Sequence, residues 1–523
     1  MMNRKRALRS ALLMRRVSRL AVALCLASLL PAPLLAKVVV FWQAGFPTVA
    51  SQPVEHAALA KALGGMDAQF ADVAGLNQPG ALTGVDLLVL PYGSAVPADA
   101  WSAIVQYLHG GGNLLIVGGQ PLRVPVKEVN GAFTPEQPQD SYARVLDFRH
   151  TYAVPVPAEA RFAWKTGYAF AQTPQVHARR FFAVEGRLDG LGYMVDGTGL
   201  LVAAPVIVAD HAAGPLLGSR VVALDFDPEP GYWQSDDGVA LMRQAAAYAT
   251  RGATSFSIET LFSVIRPGEP PLMTVHLRKL HKQQTAEAAR GEVKLTLSSE
   301  NAVLDTATLP VDGSGTEDVV APFHKPLPPG LYRISGIYSE GGQLCEFYEN
   351  GFWVQDAKAL EAGPALGTHG DFLTRDGKPF FPVGTNYFTT EENGWDFSGP
   401  RNAWVWDKDF DEMAHHGVSL VRTGVWMPNA RFIESSTGGA NERFLRNLEA
   451  FLLCAQRHGI AVNFTFFAFS PHSGNQGRAV PGARLPNPYT DPASVQAEQA
   501  YVRSVVARFK DCPWLSWDLI NEP

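Results

Sequence analysis

Between residues 371 and 523 the chain alternates repeatedly between short apolar runs and longer amphipathic stretches. Segments 382–387, 419–426, 461–468 and 514–520 are rich in β-branched and aromatic residues and read as strands. Segments 407–416, 441–458 and 492–510 carry apolar residues at helical spacing, and Gly417 and Gly459 follow the first two, where a helix end favours glycine. A helix between two strands returns the chain to the same end of the sheet, so the strands run parallel. All the strand C-termini then share one rim. Residues far apart in sequence meet there, and the rim is where chemistry is expected.

Two regions of different texture precede this one. In 37–251, apolar runs at 37–42, 86–93, 113–119 and 221–226 are separated by helical stretches at 98–109 and 238–248. Nearly continuous apolar runs suit parallel strands covered on both faces, giving a flavodoxin-like α/β domain. In 255–356 the runs become short and alternating, at 257–264, 272–277, 292–297, 331–338 and 347–354, with Pro and Gly between them. That spacing predicts a β-sandwich. It lacks an evident exposed aromatic cluster, so a spacer role is favoured over a sugar-binding module.

The balance of charge excludes one class of partner. The first 36 residues hold seven basic side chains and no acidic one, and the remainder has 37 basic against 50 acidic residues. A body this acidic has no cationic excess with which to displace counterions from nucleic acid or an anionic membrane. Neutral substrates fit better. Arg4, Lys5, Arg6, Arg9, Arg15, Arg16 and Arg19 precede an apolar run at 20–30 and then Ala36. Residues 1–36 therefore read as a secretory signal peptide cut after Ala36, with the product secreted or periplasmic. Eleven apolar residues are too short for a stable membrane anchor. Beyond it only Cys345, Cys454 and Cys512 remain, which supports no disulfide framework, a Cys454–Cys512 pair being the disfavoured alternative.

Residues 85–93 (Val-Asp-Leu-Leu-Val-Leu-Pro-Tyr-Gly) and 107–119, with Gly110–Gly112 before the run Asn-Leu-Leu-Ile-Val-Gly-Gly, resemble the glutamine-amidotransferase-like domains attached to bacterial glycosidases. Amide transfer needs a nucleophilic thiol, and no Cys lies between residues 37 and 344, so the domain is expected to be non-catalytic. Ser94 is no substitute, because Tyr92 and Val96 stand where a Gly-x-Ser-x-Gly elbow needs glycine. Gly110–Gly112 reads as a tight turn, lacking the Lys-Ser/Thr ending of a phosphate loop.

In the last region, Trp517 to Pro523 read Trp-Asp-Leu-Ile-Asn-Glu-Pro at the end of the fourth strand, and Val421-Arg422 lie two units earlier. These residues resemble glycoside hydrolase family 5 and its clan A relatives. The resemblance implies the N-terminal half of a (β/α)8 barrel over 365–523 and a retaining mechanism on β-linked mannan or glucan. It makes Glu522 the catalytic acid/base, sets Asn521 against the sugar 2-hydroxyl, and has Arg422 hold a nucleophilic carboxylate ionised.

Asn386 and Tyr387 end the first strand and Trp426 the second, and these are expected to contact the sugar, whereas Trp395, Trp404 and Trp406 in the first loop are read as packing residues. His472 aligns with no family position, and His415-His416 point about 100° apart on a helix, so no metal or cofactor is expected. A barrel of this kind needs ~250 residues and its nucleophile lies on the seventh strand, so an incomplete and inactive chain is expected. The alternative is a non-catalytic carbohydrate-binding or scaffold protein. The oligomeric state is not readable from these residues.

Overall fold

The computed structural model describes residues 35–523 apart from 147, 149, 166–167, 169–177, 186–188, 281–290, 312–315, 321–322, 389–396, 398, 426–437, 469–489 and 523. The chain is an α/β multidomain protein. Its first sheet has eight strands, in the order Asp67–Ala71, Lys37–Phe41, Leu87–Leu90, Asn113–Val117, Arg220–Leu224, Leu201–Asp210, Asp189–Val195 and Arg161–Trp164. The first five run parallel and the last three antiparallel.

Leu87–Leu90, Asn113–Val117 and Arg220–Leu224 are buried at every position, as central parallel strands must be when helices cover both faces. Helices His56–Ala62 and Asp236–Ala249 close one core, and Trp101–His109 closes the other. The glycine triplet serves packing. A side chain at Gly112 would overlap the Tyr107 ring, whose hydroxyl both donates to Asn113 O and accepts from Asn113 N, each at 2.9 Å. Ser94 is buried, 1% exposed, with its backbone N–H on Val49 O, so it presents no nucleophile to solvent.

From Thr254 to Val354 two sheets of three and five strands face each other. Phe256, Ile258, Val275 and Leu277 of one interleave with Val293, Leu295, Ile334 and Phe352 of the other in a single core. The alternating burial along Gly330–Glu340 is the period-2 pattern of strands with one wet face.

The last sheet has four parallel strands in sequence order: Gly384–Asn386, Leu420–Gly424, Ala461–Ala468 and Leu515–Asn521. Helices Ala403–His415, Glu442–Arg457 and Pro492–Phe509 pack on one face, where Val421, Val462, Phe464 and Leu515 meet Phe410, Phe444, Phe451 and Tyr501. Trp404 and Trp406 lie in the first turns of a helix and not in a loop, because the Asn402 side chain accepts from Trp404 N and Val405 N and starts the helix early. Trp406 is buried in the helix layer, and Trp404 lies beneath the cationic groups of Arg333 and Lys408. Cys345, Cys454 and Cys512 are buried, and Cys454 Sγ accepts from the Trp353 indole at 3.2 Å, with no Cys454–Cys512 bridge.

Candidate active site

Register decides which side chains share the uncovered face of the last sheet. Asn386 pairs with Arg422, Arg422 with Asn463, and Asn463 with Ser516, while Gly424 pairs with Thr465 and Thr465 with Asp518. Laterally paired residues point the same way, so this face is polar, whereas the opposite one is apolar and roofed by helices. Among parallel strands, which are usually apolar on both sides, a polar face marks a place kept for polar contents.

Arg422 organises it. Its Nε donates to Thr465 Oγ1 and to Asp518 Oδ2, both at 3.1 Å, and its Nη1 donates to Asn521 Oδ1 at 2.9 Å. Nη2 completes a fork on Asp518 at 2.5 Å, and the Thr465 hydroxyl donates to the same oxygen at 2.9 Å. Asp518 Oδ2 thus accepts three hydrogen bonds. With side chains 28% and 26% exposed, the pair adds little to stability through charge alone, but the planar fork fixes where the guanidinium lies. Asn521 is held by that guanidinium at the end of the fourth strand.

Glu522 follows, exposed, with φ of +51°. Non-glycine residues rarely occupy this left-handed region, and such strain is concentrated at binding and catalytic positions. Of the sequence-nominated residues, Arg422 and Asn521 come together, Glu522 is the next residue along the chain, and Asn386 is paired beside Arg422 on the edge strand. Tyr387 does not join them. Its ring packs on Phe410 and Phe451 in the helix layer and its hydroxyl bonds Asp409, with burial raising the phenol pKa. Trp426, Trp395 and His472 lie outside the described residues. Among the described residues no group of three or more His, Cys, Asp and Glu could hold a metal.

Sequence reasoning missed Asp518 and Thr465. The signal was available, because Ser516 and Asp518 alternate with apolar residues along the strand and so mark its polar face.

The two central strands approach closely here. A Cβ on Gly424 would lie 2.1 Å from the Thr465 carbonyl oxygen, which is backbone and cannot swing aside. Gly424→Ala is therefore expected to destabilise the last region by about 1–3 kcal/mol and to displace Thr465 from Arg422. A chemical-denaturation midpoint equal to that of the parent chain would refute this.

No protein-family model matches the chain. It is 25% identical over 189 residues to mannan endo-1,4-β-mannosidase 7 of Arabidopsis thaliana, covering 33% of this chain and 43% of that protein. It is 28% identical over 218 residues to the probable mannan endo-1,4-β-mannosidase A of Aspergillus flavus, covering 38% of this chain and 54% of that protein. Among solved structures, the β-mannanase of the blue mussel Mytilus edulis is 18% identical, covering 31% of this chain and 46% of that chain at a TM-score of 0.23, too low to carry an argument. The chain spans about half the length of the curated relatives it matches. Over about a third of its own length it is similar to mannan endo-1,4-β-mannosidases.

Proposed function

We propose that this chain is part of a secreted glycoside hydrolase that cleaves β-linked mannan or a related glucan with retention. The observation that carries the reading is the meeting of Arg422, from the second parallel strand, with Asn521 at the end of the fourth, immediately before Glu522. Similarity to mannan endo-1,4-β-mannosidases supports it and supplies the substrate class.

Glycosidic cleavage with retention needs one carboxyl group to protonate the leaving oxygen and a second, ~5 Å away, to attack the anomeric carbon. Exposed Glu522 is suited to be the first. Arg422, locked by Asp518 and Thr465, orients Asn521 toward the sugar and sets positive charge beside the place where a nucleophile must stay ionised. The described first three strands end in Asn386, Gly424 and Ala468, none of them acidic. In this reading the nucleophile comes from a strand other than these four. The intact enzyme should cut β-1,4-mannan and release the β-anomer first by NMR. Binding without scission in the intact protein would favour a non-catalytic carbohydrate-binding protein, and the α-anomer first would remove retention.

Export forms part of the same proposal. N-terminal sequencing of the mature protein is expected to begin at Lys37, and exported material that retains residues 20–30 would overturn it.

A further inference from the structure

A buried charge cluster joins the first sheet to the β-sandwich, far in sequence from the sugar site. Arg220 opens the strand Arg220–Leu224, and its side chain is wholly buried. Its Nε donates to Asp210 Oδ1 at 2.7 Å and its Nη2 to Asp210 Oδ2 at 2.5 Å, across the strand pair that sets Asp210 opposite Arg220. The guanidinium carbon lies 4.0 Å from the ring centre of Tyr248, on helix Asp236–Ala249. Nη2 also donates to Glu346 Oε1, which belongs to the sandwich strand Gln343–Val354. Tyr168 closes the cluster, its hydroxyl 3.1 Å from Glu346 Oε2. Glu346 is 6% exposed.

This hydrogen-bonded group contains one cation and two carboxylates. With both carboxylates ionised it carries a net negative charge in a place largely closed to water, and one added proton makes it neutral. Asp210 retains some contact with solvent, its side chain 28% exposed, whereas that of Glu346 is 8% exposed, so Glu346 is where a proton is best placed. Around it, burial raises the Tyr168 and Tyr248 phenols and pushes the Cys345 thiol up to about 11, so these stay neutral. Arg251 donates to Leu344 O, Lys165 pairs with Asp189 beside Tyr168, and Lys279 pairs with Glu340.

We propose that the Arg220–Asp210–Glu346 cluster is a proton-gated latch that clamps the α/β unit onto the β-sandwich when Glu346 is protonated and loosens when Glu346 ionises. The latch stands independently of any sugar chemistry.

Burial raises the Glu346 carboxyl from its ordinary 4.5 to about 7, Arg220 opposing this and Asp210 reinforcing it. Because the value is raised in the docked state, docking is fully stabilised below the ordinary carboxylate range and loses that stabilisation as pH rises through about 7. A tight ion pair with Arg220 alone would give the opposite sign, with docking weakened by acid.

The test is hydrogen exchange, read by mass spectrometry, across 220–224 and 343–348 in the full chain at about pH 5 and pH 8, corrected for the intrinsic pH dependence of exchange. The opening equilibrium is expected to rise on the order of 100-fold between these conditions. Glu346→Gln, which keeps a donor and an acceptor without the charge, is expected to remain closed at both. Equal protection of the parent chain at both pH values, or an unchanged pH response in E346Q, overturns the latch. Should E346Q fail to fold, the 13C carboxyl shift of Glu346 in the parent chain decides. Titration near neutrality supports the latch, and titration in the ordinary carboxylate range overturns it.

Discussion

Glu522→Ala in the intact enzyme is expected to lower kcat/KM on unactivated β-mannan by about 10²–10⁴, the range that general acid catalysis supplies. The loss on aryl glycosides with good leaving groups is expected to be far smaller. The difference follows from where charge develops. A sugar alkoxide departs poorly unless a proton reaches it in the transition state, whereas an activated phenolate departs unaided, and only the first needs Glu522. The position suits the role, since the carboxyl stands exposed beyond Asn521, whose side chain Arg422 holds at 2.9 Å. Hydrolysis of the glycosyl-enzyme intermediate also loses its general base, and azide, a nucleophile that needs no deprotonation, should restore turnover and yield a β-glycosyl azide. A residue that acted only through stability would lower both substrate classes alike and would gain nothing from azide. Equal losses without an azide product would remove Glu522 from catalysis and most of the support for a glycosidase.

How much of this was legible in the sequence depends on how local the signal was. The strands Leu420–Gly424 and Ala461–Ala468 fall inside the segments read as strands and Leu515–Asn521 runs one residue past its own, since an apolar run between two helical stretches admits few alternatives. That Arg422 and Asn521 both lie toward one rim was legible from parallel winding, but their hydrogen bond to each other was not foreseen, Arg422 having been assigned to a nucleophile and Asn521 to the sugar. The antiparallel extension of the first sheet by Leu201–Asp210, Asp189–Val195 and Arg161–Trp164 was not foreseen. A turn signature was present in Asp196-Gly-Thr-Gly199, which joins two of these strands, but the runs around it were not read as strands. Tyr387 was assigned to the sugar by its place at the end of the first strand, and Trp404 and Trp406 were placed in the first loop as packing residues. The burial of Trp406 depends on where helix Ala403–His415 begins, which a capping Asn402 determines, and Tyr387, just past Gly384–Asn386, packs into the helix layer. The Arg220 cluster was invisible because its partners lie 10 and 126 residues away, and only the assembled fold makes them neighbours.

Asn402→Ala is expected to be the most damaging single substitution at the junction between the sandwich and the last region, at roughly 3–5 kcal/mol. The side chain is 2% exposed. Its Oδ1 accepts from Trp404 N at 3.1 Å and Val405 N at 3.3 Å, capping helix Ala403–His415, and at 3.1 Å it shares Gly351 N of the sandwich with Asn350 Oδ1, which accepts at 2.6 Å. Its Nδ2 donates to Glu349 O at 2.6 Å. Losing an N-cap costs about 1 kcal/mol, and each buried backbone group left without a partner costs about 1–3 kcal/mol more. Water cannot easily replace the side chain, because helix and strand approach so closely that a Cβ on Gly351 would lie 2.5 Å from Trp404 N. Asn402→Asp keeps the acceptor but loses the donor and adds a charge near Glu349, so it should recover only part of the loss. The groups that Asn402 bonds are backbone N–H and C=O groups, which carry no titrating proton, so the penalty of N402A should be the same from about pH 5 to pH 8. This junction should therefore stay closed under conditions that loosen the latch, leaving the sandwich fixed to the last region while the α/β unit responds to pH. Scanning calorimetry of N402A within about 1 °C of the parent would show that other contacts carry the junction, and a penalty that varied with pH would show that the two interfaces are not separable.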